Sequence, residues 1–280
     1  MNLGPTLKEN LLILVKTYPT ISEKYMELVC TAGINENGEW RRVYPIPFRE
    51  LNKDSQYKKY QWVEVELRQN LSDGRKESYK LHGDMKILKT IDTGKDGLWQ
   101  ERKETLFKST KVYEDMNEII ELNKSKNIKD KISLAIFKPQ EILDFKVEAV
   151  ERSWNAKKIE AILNQNSQGI LFPDIQKHIS VVPKVPYKFS YKFKDINGKE
   201  STLMIEDWEV GQLYWNCIKS SETEKIAIDK VRAKYLDTFV AEKDIYLFLG
   251  TTKEFDGWSS NPFIIIGVFY PKKELNKSLF

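Results

Sequence analysis

Hydrophobic and polar residues alternate along most of the first ninety positions, and this alternation predicts strands. Leu11 to Val15 is a short apolar strand closed by Tyr18-Pro19. Lys24 to Ala32 alternates as a half-buried strand. Asn35-Glu36-Asn37-Gly38 then supplies turn chemistry, and Glu39 to Tyr44 returns as the second arm of a hairpin. Tyr60 to Leu67 alternates strictly, with Tyr60, Trp62 and Glu64 on one face and Gln61, Val63, Val65 and Leu67 on the other. Ser72-Asp73-Gly74 turns the chain into a fifth strand over Ser78 to Leu88. Five short strands separated by turns predict a small barrel.

The period then changes. Gly97 to Phe107 and Val112 to Lys124 have helical spacing; in the second, Val112, Met116, Ile119, Ile120 and Asn123 share a face, and Lys124 to Lys131 is a polar hinge. Ile132 to Phe137 and Ile142 to Val150 predict strands, and Trp154 to Asn164 a helix. A proline-containing loop carries His178 and leads to Tyr187 to Phe193, which alternates cleanly and turns at Asn197-Gly198 into Ser201 to Ile205. Asp207 to Lys219 and Glu222 to Phe239 are helical, whereas Ile245 to Leu249 and Pro262 to Phe269 are continuous apolar runs, the pattern of strands buried on both faces. Together these elements predict an α+β protein. It has a barrel-like unit over residues 1–95, a helical connection over 96–130, and a mixed unit of helices and antiparallel sheet over 131–280. Whether the two units pack as one domain stays open.

Composition narrows the classes. Of the 280 residues, 41% are hydrophobic and 12% aromatic, too many for a disordered chain. The longest apolar stretch, Phe263 to Tyr270, falls well short of the roughly 18 residues a membrane helix needs. With no basic-then-apolar layout at the start, the expectation is a water-soluble protein of the cytoplasm. A net charge of +4 is a weak polyanion signal. Cys30 and Cys217 belong to no Cys-x-x-Cys pair, so zinc and iron–sulfur frameworks are excluded, and free thiols are expected rather than one long-range disulfide.

Most local chemistry is absent. The chain has no G-x-x-x-x-G-K-[ST], no G-x-G-x-x-G and no G-x-S-x-G. Gly250-Thr251-Thr252-Lys253 follows a buried strand but lacks the leading glycine of a phosphate cradle, so a tight strand exit explains it. His82 and His178 have no partner at ligand spacing. Glu206-Asp207-Trp208-Glu209 has two explanations. Asp207 caps the following helix, or Glu206, Asp207 and Glu209 hold magnesium for phosphodiester or nucleotide chemistry, with Lys188 or Lys192 alongside.

Two segments interleave bases and aromatics. Trp40-Arg41-Arg42-Val43-Tyr44-Pro45-Ile46-Pro47-Phe48-Arg49 holds three arginines and three aromatics without an acid, on a backbone that its prolines keep extended. Arginine planes and aromatic faces are what single-stranded bases stack upon. The competing explanation has Trp40, Val43 and Phe48 plugging the barrel while the arginines cover acids. In Tyr187 to Lys194, the aromatics fall on one face and Lys188, Ser190, Lys192 and Lys194 on the other, so the lysines form a stripe suited to phosphates whether or not the aromatics are core.

The blocks YPIPFR at 44–49, IEDWEVG at 205–211 and FLGT at 248–251 resemble an uncharacterised prokaryotic family, and the resemblance implies no activity. By fold analogy, the strand-rich start suits a nucleic-acid-binding barrel of OB or PUA type. The leading expectation is binding of single-stranded or distorted nucleic acid. Arg41, Arg42 and Arg49 would contact phosphates or stack, with Trp40, Tyr44 and Phe48 stacking and Lys188, Lys192 and Lys194 on the backbone. No cofactor is expected, save magnesium if the acidic cluster is catalytic. A metal-dependent enzyme and a protein-interaction subunit are the alternatives.

Overall fold

In the computed structural model, described for residues 4–22, 26–167 and 181–274, the chain begins with a closed five-stranded barrel. Its strands are β1 (Thr6–Lys16), β3 (Met26–Asn35), β4 (Trp40–Ile46), β5 (Gln61–Gln69) and β6 (Ser78–Leu81), with β2 (Thr20–Ser22) and β7 (Lys86–Thr90) added at the edges. The order is β1-β3-β4-β6-β5, and β5 closes on β1. The β4–β6 pair is parallel and the other barrel pairs are antiparallel, an OB-type arrangement.

Strand β1 makes closure possible. Thr6 to Leu12 pairs with β5 and Leu11 to Lys16 with β3, with a register shift between Ile13 and Val15 where the strand bends across. The predicted face of β5 points inward: Val63, Val65 and Leu67 meet Leu11, Ile13, Val43 and Ile46 in the barrel core. The run expected as one strand over Ser78 to Leu88 is two, because the chain bends over 82–85 and Met85 drops into that core.

The remaining chain forms helices and two further sheets. Helix α1 (Gln100–Ser109) leads to β8 (Val112–Tyr113), then α2 (Met116–Lys124), β9 (Leu134–Phe137), β10 (Glu141–Ala149) and α3 (Ala156–Ser167). The helix expected from Val112 starts four residues later, because Val112 and Tyr113 pair with Ile136 and Phe137 before Asp115 caps α2. After the undescribed residues 168–180, which include His178, come β11 (Tyr187–Lys194), β12 (Glu200–Met204), α4 (Trp208–Lys219) and α5 (Glu224–Arg232). A π-helical turn over Ala233–Thr238 joins α5 to α6 (Phe239–Glu242), and β13 (Tyr246–Thr251) and β14 (Phe263–Phe269) follow. Among the described residues, no helix is long and apolar enough to cross a membrane.

The sheets are β10-β11-β12 and β14-β13-β9-β8. The central strands β13 and β9 are buried on both faces, as the unbroken apolar run of β13 predicts. One face of the β13 sheet packs on β11 and the helices, and the other packs on the outside of the barrel. There Leu12, Leu14 and Ile34 meet Leu134, Ile136, Phe248 and Ile266 in a shared core. The aromatics of β11 are core rather than a stacking platform: Phe189, Tyr191 and Phe193 are buried against Phe145, Tyr214, Tyr235 and Phe137.

Candidate functional site

The two halves meet around a cavity of about 590 Å³, in the range of ligand clefts. A backbone bridge between Thr17 and Asp207 forms the joint, with Tyr18 N donating to Glu206 O at 3.2 Å and Glu206 N donating to Ile265 O at 2.8 Å. The barrel contributes the face of β3 and β4. Pairing on these strands passes from Thr31–Val43 to Val29–Ile46, so Cys30 lies opposite the two residues Tyr44 and Pro45. The irregularity falls at Pro45, which has no N–H for the ladder, and Cys30 and Tyr44 both line the cavity.

Aromatic side chains form much of the wall. Tyr44 is 41% exposed at the mouth. Tyr18 is held by Trp215 Nε1, which donates to its hydroxyl at 2.8 Å, and it donates in turn to Pro183 O at 2.8 Å. Trp154 donates from Nε1 to Val182 O at 2.7 Å and carries the Lys184 ammonium over its ring. Tyr187 at the start of β11 completes this wall.

Two arginines lie deeper. Arg75 is clamped by Asp73, Nε to Oδ1 at 2.8 Å and Nη2 to Oδ2 at 2.6 Å, and it donates from Nη1 to Thr251 O at 2.5 Å. Burial alone would raise the Asp73 carboxyl, but the Arg75 hydrogen bonds and charge outweigh it and hold Asp73 down at about 2. Arg42, 4% exposed, donates from Nη1 to Ser133 Oγ at 2.8 Å and from Nη2 to Ser133 O at 3.0 Å. Ser133 in turn donates to Glu77 Oε2 at 2.9 Å. Arg42 has no ion-pair partner among the described residues, and burial, with Arg75 next, pushes its pKa down.

Opposite in charge is Glu206. It lines the cavity, and no described residue donates to its carboxylate or pairs with it. Burial pushes its carboxyl above the usual range with nothing offsetting it. The lining therefore holds Arg42, whose counter-charge on Glu77 reaches it only through Ser133, and Glu206, which no described cation pairs with. Thr252 Oγ1, in the same lining, is buried without a hydrogen-bond partner. The Gly250 to Lys253 run, expected to be a bare strand exit, is thus part of the lining.

The expected site residues divide. Arg42, Tyr44, Lys188, Glu206 and Asp207 come together on the cavity. Arg41 does not face water: it lies over Tyr79 and pairs with Glu9 at 2.6 Å and Glu39 at 2.8 Å. Arg49 pairs with Glu27 at 2.7 Å. Trp40 packs edge-on against Phe248, because the outward face of β4 is covered by the second sheet. Phe48 is buried against Tyr57 and Trp208, with the Lys16 ammonium 4.1 Å from its ring centre.

The lysine stripe of β11 is neutralised by acids on neighbouring strands: Lys188 by Glu148, Lys192 by Glu200 at 2.6 Å, and Lys194 by Glu141 at 3.7 Å. Asp207 is the α4 cap, accepting from Glu209 N at 3.2 Å, and is buried against Lys59 at 2.8 Å, with Glu209 3.4 Å from the same ammonium. Desolvation would lower the Lys59 pKa, but Asp207 and Glu209 outweigh it and raise it, so the pair is a charged strut between barrel and helix. Of the three candidate magnesium ligands, Asp207 and Glu209 therefore share Lys59, and Glu206 lines the cavity outside that pairing. Among the described residues, no three His, Cys, Asp or Glu side chains converge as a metal site. Cys30 and Cys217 are free thiols.

The molecule is thus a closed OB-type barrel fused to an α+β unit, with a mixed-charge aromatic cavity at the joint. The chain belongs to the family described as Domain of unknown function (DUF8757), whose model matches residues 114–280. Residues 7–108 match the model described as Domain of unknown function (DUF8758). No curated protein matches the chain. The cavity draws its lining from both matched segments.

Proposed function

We propose that the protein binds nucleic acid by taking one nucleotide, at an end or from an unpaired stretch of strand, into the cavity between barrel and α+β unit. The observation that carries this is one cavity lining that holds Arg42, which reaches its nearest described carboxylate Glu77 only through Ser133, together with Glu206, which no described cation pairs with, and the aromatic side chains Tyr18, Tyr44, Trp154 and Tyr187. A nucleotide has the matching parts: an anionic phosphate, a flat base that stacks, and ring N–H groups that donate. The cavity volume accommodates one such unit, and the lining of β3 and β4 is the barrel face that OB folds use for oligonucleotides. That last support is fold analogy.

Rim features favour a strand over a free nucleotide. Lys253 at the cavity edge sits on the β13–β14 loop, which also presents Phe255 and Trp258, ring centres 5.7 Å apart and 41% and 67% exposed. Neighbouring bases can stack there while the lysine meets phosphate. The free thiols Cys30 and Cys217 support the expected cytoplasmic setting.

The test is binding of labelled single-stranded oligonucleotides across a salt series. Affinity falls steeply with salt, and Tyr44→Ala and Lys253→Ala, both exposed positions, weaken it without loss of thermal stability. Lys192→Ala and Lys194→Ala leave it unchanged. Affinity insensitive to Tyr44 and Lys253 rejects the cavity as the site.

A further inference from the structure

We infer that Glu206 makes the cavity select a guanine-type base, one that presents two adjacent N–H donors. The inference rests on the cavity being a nucleotide site and specifies its ligand.

Two N–H donors at the Glu206 carboxyl favour its ionised form against the burial that raises it, and an ionised carboxylate only accepts hydrogen bonds, its two oxygens suiting two parallel donors. Guanine alone among the common bases offers such an edge, its ring N1–H beside its exocyclic N2 amino group. Adenine, cytosine and uracil each set a donor beside an acceptor. With any of them, one carboxylate oxygen would face a lone pair. In water that conflict is screened; in a lined cavity it is not.

Position supports this role. The Glu206 backbone is pinned from both sides, by Tyr18 N from the barrel and by Ile265 O from β14. The side chain therefore leaves a fixed point on the cavity wall. Its neighbour Asp207 is committed to Lys59, and no described cation pairs with the Glu206 carboxylate. Tyr44 and Trp154 line the same cavity and offer faces for the ring whose edge Glu206 would hold. Arg42 is the lining cation that no described carboxylate contacts directly, and it is the one offered to phosphate.

The experiment measures affinity for the four 5′-mononucleotides and inosine monophosphate, and for decathymidylate strands carrying one guanine, hypoxanthine, adenine or cytosine. The expected result is a preference for guanine over adenine and cytosine on the order of 30-fold, with hypoxanthine, which lacks the exocyclic donor, in between. Glu206→Gln folds normally, keeps binding, and loses the preference to within about two-fold. Equal binding of all bases by the wild-type protein overturns the inference and leaves the cavity site standing. A guanine preference that survives in Glu206→Gln overturns the residue assignment. No binding of any probe overturns the inference together with the site it rests on.

Discussion

Arg41 and Arg42 are neighbours on β4, yet their guanidinium groups serve opposite sides of the strand: Arg41 meets Glu9 at 2.6 Å and Arg42 meets Ser133 at 2.8 Å. The cause is the two-residue period of a strand. Arg41 shares a face with Val43, which fills the barrel core, and ends over Tyr79. Trp40, Arg42 and Tyr44 share the outer face, so the α+β unit meets all three. One step along the chain thus separates a barrel ion pair from a cavity cation.

The two arginines should respond differently to substitution. Arg41→Ala removes charged hydrogen bonds to Glu9 and Glu39 and lowers stability by about 1.5–3 kcal/mol, with affinity for single strands unchanged. Arg42→Gln weakens binding and reduces the slope of log affinity against log salt by about 0.7, one phosphate contact on a single strand. Denaturant unfolding and a salt series on both variants check this.

Asp207 is a structural residue in this account. Asp207→Ala leaves the Lys59 ammonium, which is 6% exposed, with Glu209 at 3.4 Å as its remaining carboxylate, and removes the cap of α4. The expected cost is about 3–5 kcal/mol. Urea unfolding measures that loss. Affinity at a temperature where the variant is folded stays at the wild-type value, whereas a catalytic or metal-binding Asp207 would predict lost function without lost stability.

Acid should weaken the fold through Asp73. Its folded pKa of about 2 lies below the ordinary 3.8, so the folded state releases the proton more readily than the unfolded chain does. The associated stabilisation, on the order of 2 kcal/mol, is complete above about pH 4 and is lost as pH falls toward 2. Asp73→Asn should lack this contribution throughout, so the stability gap between wild type and variant narrows as the solution is acidified across that window. Urea titrations of both proteins from pH 5 to pH 2 read it out.

Gly211 controls one cavity wall. A Cβ there would lie 2.3 Å from Tyr18 Cδ2, far inside contact distance. Gly211→Ala should therefore push the Tyr18 ring, break its hydrogen bonds with Trp215 and Pro183, and cost about 1–3 kcal/mol. Binding should weaken as well. Thermal unfolding and the oligonucleotide assay on this variant measure the two effects.

Much of the fold was legible because its signals are local. The strict alternation of Tyr60 to Leu67 marks the inward face of β5, and the unbroken apolar runs mark β13 and β14 as buried on both sides. Asp207 caps its helix where the strand pattern stops. The cavity was far less legible, since its lining comes from segments as distant as Tyr18, Trp154 and Lys253, none of which carries a local motif. Arg75 sits in a turn whose Asp73 explains it locally, and nothing in sequence places its guanidinium on Thr251. The three clustered arginines invited a common role, but strand periodicity already splits Arg41 from Arg42. Adjacency joins Glu206 to Asp207 and Glu209, and only the tertiary structure shows that Lys59 takes the last two and leaves Glu206 on the cavity.

The most direct test of the central claim is a map of photocrosslinks from a halogenated single strand to the wild-type protein. Crosslinks should fall on peptides carrying Tyr18, Tyr44, Trp154 or Tyr187, and excess unlabelled strand should suppress them. Crosslinks confined to the Lys192–Lys194 face of β11, or to surfaces away from the joint, would contradict it.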